Sequence, residues 1–535
     1  MAEELLPLLV GRHSVLSRPR TPWTSGLIAA ATLAAAGLSI TPATAISGPQ
    51  APDALSAAIA KLDIGGARGC SATLVAPQWV LTAASCFADT PGGTVSPGAP
   101  KLKTTATLGG AAQQVVNLVP RTDRNVVMAQ LAKPVSGVTP IAVAGTAPGA
   151  GDEVQAVGYG RTHDEWVPDQ VHAAAFTVQS VGATTVDLAA KSDGAAICKG
   201  DTGGPALSTA AGHTQIIGVN SLSWQGGCLG TDPAETRTGA VDARVDDLAG
   251  WVHQVAYSTT FASAPWKHAA QMTAGYYTGG SAGGSRRMDL IVRWDDGEVT
   301  LYQGGDGNDP AHPFAAEYRL AAPKGIWAKA LSLTSVNAGG GTDGLVVRWI
   351  DGEMTQYTTV DAKGFHGEKQ LAPPNSAIWK NDARLLSGGR FTPAGHRDDL
   401  LVAWNDGHVS LFSDLAANGL NKQTQIVAKN TTWPAAEQIS TGSFTGQGTD
   451  DLLVRWIDGE TTIYPGLTGK GLPAEIKIRP AKSNWADATV VTAGAFTTNT
   501  VADDILVRWN DGHVSLFPGA DAKGLHDEVQ LAPAG

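Results

Sequence analysis

The residues able to do chemistry are few and sit in short, distinctive stretches. Thr202 stands in "CKGDTGGPAL", a hydroxyl in a glycine-rich turn, and Ser85 closes the apolar run "GCSATLVAPQWVLTAASC" next to Cys86. A hydroxyl attacks a carbonyl carbon only when an adjacent base takes its proton. A second neutral hydroxyl such as Ser85 cannot take it near pH 7. His163, followed by Asp164 in "GYGRTHDEWV", is the histidine to consider, and a loop histidine of this kind is ordinarily solvent-exposed. Cys70, Cys86, Cys198 and Cys228 complete the set. In an exported chain they suggest two disulfides, for which three pairings are open.

The elements that would position these residues follow from the bulk sequence. A chain of 535 residues calls for more than one core. With 64 glycines, 30 prolines and only 16% charged residues, it fits loop-rich β structure. The net charge of −11, with no cluster of Lys and Arg, argues against a nucleic-acid or anionic-membrane partner. Residues 1–45 read as a signal peptide. Arg12, Arg18 and Arg20 precede "LIAAATLAAAGLSI", which is short for a membrane span, and "TPATA" offers an Ala-x-Ala cleavage site ending at Ala45. The expectation is a secreted, extracellular protein with no membrane contact after cleavage.

Residues 46–257 show short apolar runs divided by Gly, Pro, Asp and Ser, a strand-and-turn pattern. Val241, Val245, Leu248, Val252 and Val255 follow helical spacing, which predicts a terminal helix. "STTFASAP" (258–265) reads as a linker. Residues 266–535 repeat. "DLIVRWDDGEVTLY" and four relatives place Trp294, Trp349, Trp404, Trp456 and Trp509 roughly 50 residues apart, each with Asp-Gly at a predicted hairpin turn. A second tryptophan precedes each hairpin: Trp266, Trp327, Trp379, Trp433 and Trp485. The period resembles a five-bladed β-propeller, whose phase offset would let the two ends complete one blade. Tryptophans at fixed places in every blade are read as packing rather than as a sugar-stacking surface.

Five fragments of the first module carry a family resemblance: "GCSATLVAPQWVLTAASC", "VQAVGYGRT", "CKGDTGGPAL", "SWQGGC" and "GAVDARVDDLAGWV". In order and spacing they resemble a chymotrypsin- or trypsin-like serine protease. The resemblance implies two packed six-stranded β-barrels with a cleft between them, so the expected fold is all-β, a double barrel followed by a propeller. It implies disulfides Cys70–Cys86 and Cys198–Cys228 and an oxyanion hole from the amides of Gly200 and Thr202. It places Ala196, Ser223, Gln225 and Gly239 at the specificity pocket, with Gln225 on the strand that pairs with substrate. It also implies an activation ion pair between Ile46, exposed by cleavage after Ala45, and Asp201. The repeats are similar to FG-GAP or VCBS modules and to tachylectin-like propellers. Their loops, such as "TGQGTDD", lack most carboxylates of a calcium site, and no metal or cofactor is expected.

The resemblance puts the catalytic triad at Ser85, Asn125 and Thr202, and all three positions are substituted. A triad needs a nucleophile, an imidazole to take its proton and a carboxylate to orient that imidazole. Here the base and the carboxylate are gone, and the methyl group of Thr202 crowds an acyl intermediate. The expectation is a secreted protease homologue that acts as a binding or scaffold protein. Its partners would be a peptide or protein ligand in the cleft and a glycan or cell-surface ligand on the propeller. The alternatives are an active threonine-dependent endopeptidase, aided by a base such as His163, and a propeller adhesin.

Overall fold

The computed structural model describes residues 51–535 apart from 193, 211, 279–286, 338–340 and 394–395. The expected signal peptide and Ile46 therefore lie outside the described residues. No helix among those residues is long and apolar enough to cross a membrane.

The strand-and-turn half forms two barrels. The first closes in the order Ile59–Ile64, Arg68–Ala76, Trp79–Thr82, Val127–Leu131, Ala111–Pro120 and Thr104–Leu108, the last pairing back to the first. Alternation drives it: in Thr104–Leu108 every second side chain is buried. The second barrel runs Pro205–Ala210, Glu153–Gly158, His172–Val181, Thr185–Ala190, Ala240–Arg244 and His213–Ser223. It closes where Pro205–Ala210 meets His213–Ser223, and a two-residue strand, Ala142–Val143, pairs parallel to the latter. Leu62, Trp79 and Met128 fill the first core, and Phe176, Val186 and Ile217 the second.

The terminal helix starts later than its apolar spacing predicts. Val241 belongs to the strand Ala240–Arg244, which is paired on both sides, and tertiary pairing overrides the helical period there. The helix spans Ala249–Ala262 and so occupies most of the stretch expected to be a linker. After Gly250 in the first turn no Gly or Pro interrupts it before Pro265, and Phe261 has an apolar partner waiting. The Phe261 ring lies 4.6 Å from Trp266, 5.0 Å from Phe314 and 5.2 Å from Tyr302, all in the first blade. Behind it, the Trp79 indole of the first barrel donates to the Thr259 hydroxyl at 2.7 Å. One helix therefore serves two cores.

Five four-stranded antiparallel sheets make up the rest, each a meander of consecutive strands. The first blade is Ala269–Gly275, Asp289–Trp294, Val299–Gly304 and Phe314–Ala321; the fifth is Ala488–Gly494, Asp504–Trp509, Val514–Phe517 and Val529–Ala532. The expected blade shared between the two ends is not formed, because the closing "DEVQLAPAG" supplies the fifth blade's own outer strand. The ring closes by side-on contact instead. Arg508 donates to the Ala269 carbonyl at 2.7 Å, Met288 N to the Ala495 carbonyl at 2.9 Å, and Phe314 meets Phe496. The Ala249–Ala262 helix lies across this seam, packed on the outer strands of both the first and the fifth blade.

The hairpin turns have a double need for glycine. Gly297 and Gly512 take positive φ, +89° and +94°, to complete the Asp-Gly turn. A Cβ on Gly297 would also lie 2.5 Å from the backbone of Ala328 in the next blade. Every hairpin tryptophan is buried, and its indole N–H bonds a Thr or Ser six residues on, as Trp294 does to Thr300 at 2.9 Å. The tryptophans of the two motifs pack together within each blade, 5.2–5.8 Å apart. Buried rings cannot stack on a sugar.

In four blades the aspartate opening the second strand is spent on backbone. Asp451 accepts from Phe444 N, Thr445 N, the Thr445 hydroxyl and Gly466 N, and Asp289, Asp399 and Asp504 do the same in their blades. Among the described residues no group of three or more His, Cys, Asp or Glu is arranged to hold a metal. A ring of hydroxyls on the inner strands, Thr273, Thr334, Ser387, Ser440 and Thr492, lines the central channel. Three of them accept an amide from the neighbouring blade, as Thr334 does from Gly388 at 2.7 Å.

Candidate functional site

The cleft between the barrels collects Ser85, Asn125 and Thr202 through three local devices. Ser85 sits in a short 3-10 turn, Ala84–Cys86, that follows the strand Trp79–Thr82. Cys86, buried beneath it, is bonded to Cys70 on the adjacent strand, which fixes the turn. Asn125 ends a connection between strands. Its side-chain carbonyl accepts from Ser85 N at 2.7 Å, and its amide donates to the Ser85 hydroxyl at 3.1 Å and to the Ser221 hydroxyl at 2.8 Å. One asparagine thus ties both hydroxyls and a backbone amide into a closed, uncharged network.

Thr202 is held by its backbone. Its carbonyl accepts from Ser71 N at 2.9 Å, and glycines on both sides allow a turn no other residue could make. Gly203 has φ +88°, and a Cβ there would lie 2.0 Å from the Thr82 hydroxyl. Gly200 has φ +102°, and a Cβ there would lie 2.9 Å from Gly160 Cα. Among the described residues the amides of Gly200 and Thr202 make no hydrogen bond within the protein, so both remain free to donate. The second disulfide, Cys198–Cys228, anchors this loop.

Asp201 lies directly below and is completely buried. Its carboxyl accepts from Gly160 N at 2.7 Å and Cys198 N at 2.9 Å. Burial outweighs those two donors and pushes its pKa up to about 7. Gly160 is required here, because a Cβ would fall 2.3 Å from the Asp201 carboxyl carbon.

Residues 45–252 match the family model described as Trypsin. This part of the chain is a trypsin-family domain. Among solved structures the chain is matched with neuropsin, a serine protease expressed in the limbic system of mouse brain. That match has 19% identity and a TM-score of 0.31, covering 39% of this chain and 98% of that one. No curated protein matches the sequence.

The four residues expected at a specificity pocket, Ala196, Ser223, Gln225 and Gly239, lie in closely bonded backbone. Ala196 is fully buried and Ile197 nearly so, and the Ser223 hydroxyl donates to the Ile197 carbonyl at 2.5 Å, tying opposite walls together. Gly239 accepts from Trp224 N at 3.3 Å on the other wall. Gln225 is not on the strand His213–Ser223 but two residues beyond it, at φ +63°, so it shapes the turn rather than pairing along the strand. Its amide donates to the Ser223 hydroxyl. His163 bonds Asp164 at 2.7 Å on the exposed loop. Among the described residues no histidine hydrogen-bonds to Ser85, Asn125 or Thr202.

Several contributors escape the sequence. Ser221 completes the asparagine network across the barrels, a contact that only the folded chain brings about. Trp224 and Trp166 are about half exposed, and each carries a stacked arginine: Arg237 lies 3.7 Å from the Trp224 ring and Arg161 4.4 Å from Trp166. Beside Gly200 lies a depression of about 250 Å³ lined by Lys61, Arg161, Lys199, Tyr159 and Trp166. Deeper in, Asp242 is fully buried opposite Asn220, neither of its carboxyl oxygens has a hydrogen-bond partner, and burial pushes its pKa up to about 8.

Proposed function

We propose that the trypsin-family domain is an exported ligand-binding module without proteolytic turnover. The observation that carries this reading is the hydrogen-bonding of Asn125. Where a triad would hold a charged carboxylate and an imidazole, an amide satisfies two hydroxyls and offers no proton acceptor of useful basicity. With base and carboxylate both absent, residual acceleration over water is limited to roughly 10³- to 10⁴-fold from the oxyanion donors.

The cleft keeps what a binder needs. The free amides of Gly200 and Thr202 suit a backbone carbonyl or a carboxylate. The arginine-stacked Trp166 and Trp224 offer large, rigid anchors of the type that dominates protein interfaces. The ligand class supported best is an extended peptide or protein segment. Removal of residues 1–45 would free Ile46, whose ammonium is the proposed partner for the Asp201 carboxyl. The burial of that carboxyl with only two amide donors supports this pairing.

The test is to incubate the mature protein with an unfolded protein substrate and with a fluorophosphonate probe. The expected result is neither cleavage nor labelling. Labelling at Thr202 that vanishes in Thr202→Ala would establish an active enzyme instead.

A further inference from the structure

A second cleft, of about 620 Å³, opens where the Ala249–Ala262 helix meets the first blade. Its walls come from both modules. Thr260, Ser263 and Pro265 form the helix side, and Trp294, Asp295, Asp296, Glu298, Tyr302, Glu317 and Arg319 form the blade side, with His268 at the junction. Four carboxylates thus face one guanidinium and one imidazole. Asp295 is paired with His268 at 2.7 Å, whereas among the described residues Asp296, Glu298 and Glu317 make no ion pair. Their recorded partners are neutral: Glu298 N, the Thr300 hydroxyl and the Tyr257 hydroxyl.

Tyr302 shows that this cleft is more than an acidic surface. In three of the five blades the third strand carries a tyrosine that meets a glutamate on or just before the outer strand. Tyr464 donates to Glu475 at 3.0 Å in the fourth blade, and Tyr357 faces Glu368 in the second. Tyr302 and Glu317 occupy the same cross-strand places in the first blade. There Tyr257, on the helix, takes Glu317 at 2.9 Å instead. Tyr302 is 1% exposed and lines the cleft, and among the described residues its hydroxyl makes no hydrogen bond. A phenol oxygen that opens into a cavity without a protein partner is available to accept from a donor that enters it.

We propose that this cleft is a binding site for a primary ammonium group, which would donate to the Tyr302 hydroxyl oxygen and to the Glu298 and Glu317 carboxylates. An ammonium carries three donors and no acceptor, which matches a floor of acceptors. The group can arrive on a free diamine or on a lysine side chain, and the chemistry of the site is the same for both. The site shares no residue with the Ser85, Asn125 and Thr202 positions, and its proposal does not rest on whether those are silent.

Calorimetric titration of the mature full-length protein decides the matter. The probes are 1,4-diaminobutane, a blocked tripeptide with a central lysine, and 1,4-butanediol as the uncharged match. Saturable one-to-one binding of the diamine or the lysine peptide, with none for the diol, is expected, and the tighter of the two identifies the source. Tyr302→Phe removes one oxygen and should weaken binding roughly tenfold. Tyr464→Phe, the same change in a blade where the glutamate is kept, should leave it unchanged, and both variants are checked for an unaltered melting temperature. Absence of saturable binding by both amines, equal binding of the diol, or indifference to Tyr302→Phe in a folded variant each overturns the proposal.

Discussion

Tyr257 on the helix that ends the first module donates to Glu317 on the outer strand of the first blade at 2.9 Å. The bond couples two folds that the sequence presents as separate. Phe261, one helical turn further on, is the apolar half of the same coupling. The two modules therefore share a helix as well as a chain.

Phe261→Ala is expected to lower stability by about 3–5 kcal/mol, the usual cost of deleting a buried aromatic ring. Because the ring joins two cores, the loss should fall on their coupling. Scanning calorimetry of the wild type is expected to give one main transition, and the variant two separated ones. A variant that still melts in one step at a uniformly lower temperature would show that coupling runs elsewhere.

Restoring the triad as Ser85→His, Asn125→Asp and Thr202→Ser is expected to give fluorophosphonate labelling, while each single change stays silent. Triad members act as a unit, so one alone recovers almost nothing. Peptide turnover should remain low until Ser223→Gly is added, because the Ser223 hydroxyl bonds the Ile197 carbonyl where the proposed specificity pocket would open. Labelling by the triple variant, with turnover rising on the fourth change, is the pattern to look for.

Asn125→Leu strips the partners from the Ser85 and Ser221 hydroxyls and from Ser85 N at once. A loss of about 1–3 kcal/mol is expected from leaving half-buried polar groups unpaired, read as a fall in the urea midpoint. Asn125→Asp alone should also destabilise near neutral pH, since it puts a carboxylate there with no histidine to pair it.

Asp242 sets a pH dependence of stability. Burial pushes its folded pKa up to about 8, well above that of an ordinary carboxyl, so the folded state holds a proton that the unfolded chain has released. Stability is full below the unfolded value, falls as pH climbs between the two, and is lowest above about 8. Asp201 acts in the same direction up to about 7 wherever no ammonium reaches it. Melting temperature measured from about pH 5 to about pH 9 should decline less steeply in Asp242→Asn than in the wild type.

The parts legible in the sequence are those written locally. Asp-Gly between alternating strands fixes each hairpin, and the glycines around Thr202 announce a turn that tolerates no side chain. What stayed hidden depends on pairing across long separations. Val241 keeps helical spacing but is captured by strands on both sides. "STTFASAP" has the small residues of a linker, yet Phe261 finds an aromatic cluster and the helix continues to meet it. In the candidate site, Ser85, Asn125 and Thr202 could be placed from short motifs. Ser221, Asp242 and the wall-to-wall bond of Ser223 could not, because each gains its role from a partner on another strand.

The seam between the fifth and first blades has no strand crossing it, so the ring is a chain of self-contained links whose clasp belongs to another part of the molecule. Tyr257 and Phe261 are that clasp. A repeat array cut free at residue 264 would leave Trp266 and Leu531 facing water along an unguarded edge, prone to pair with a second copy or to spring open. The two halves are therefore not independent cassettes, because the first and last blades are fitted to the helix of the module before them.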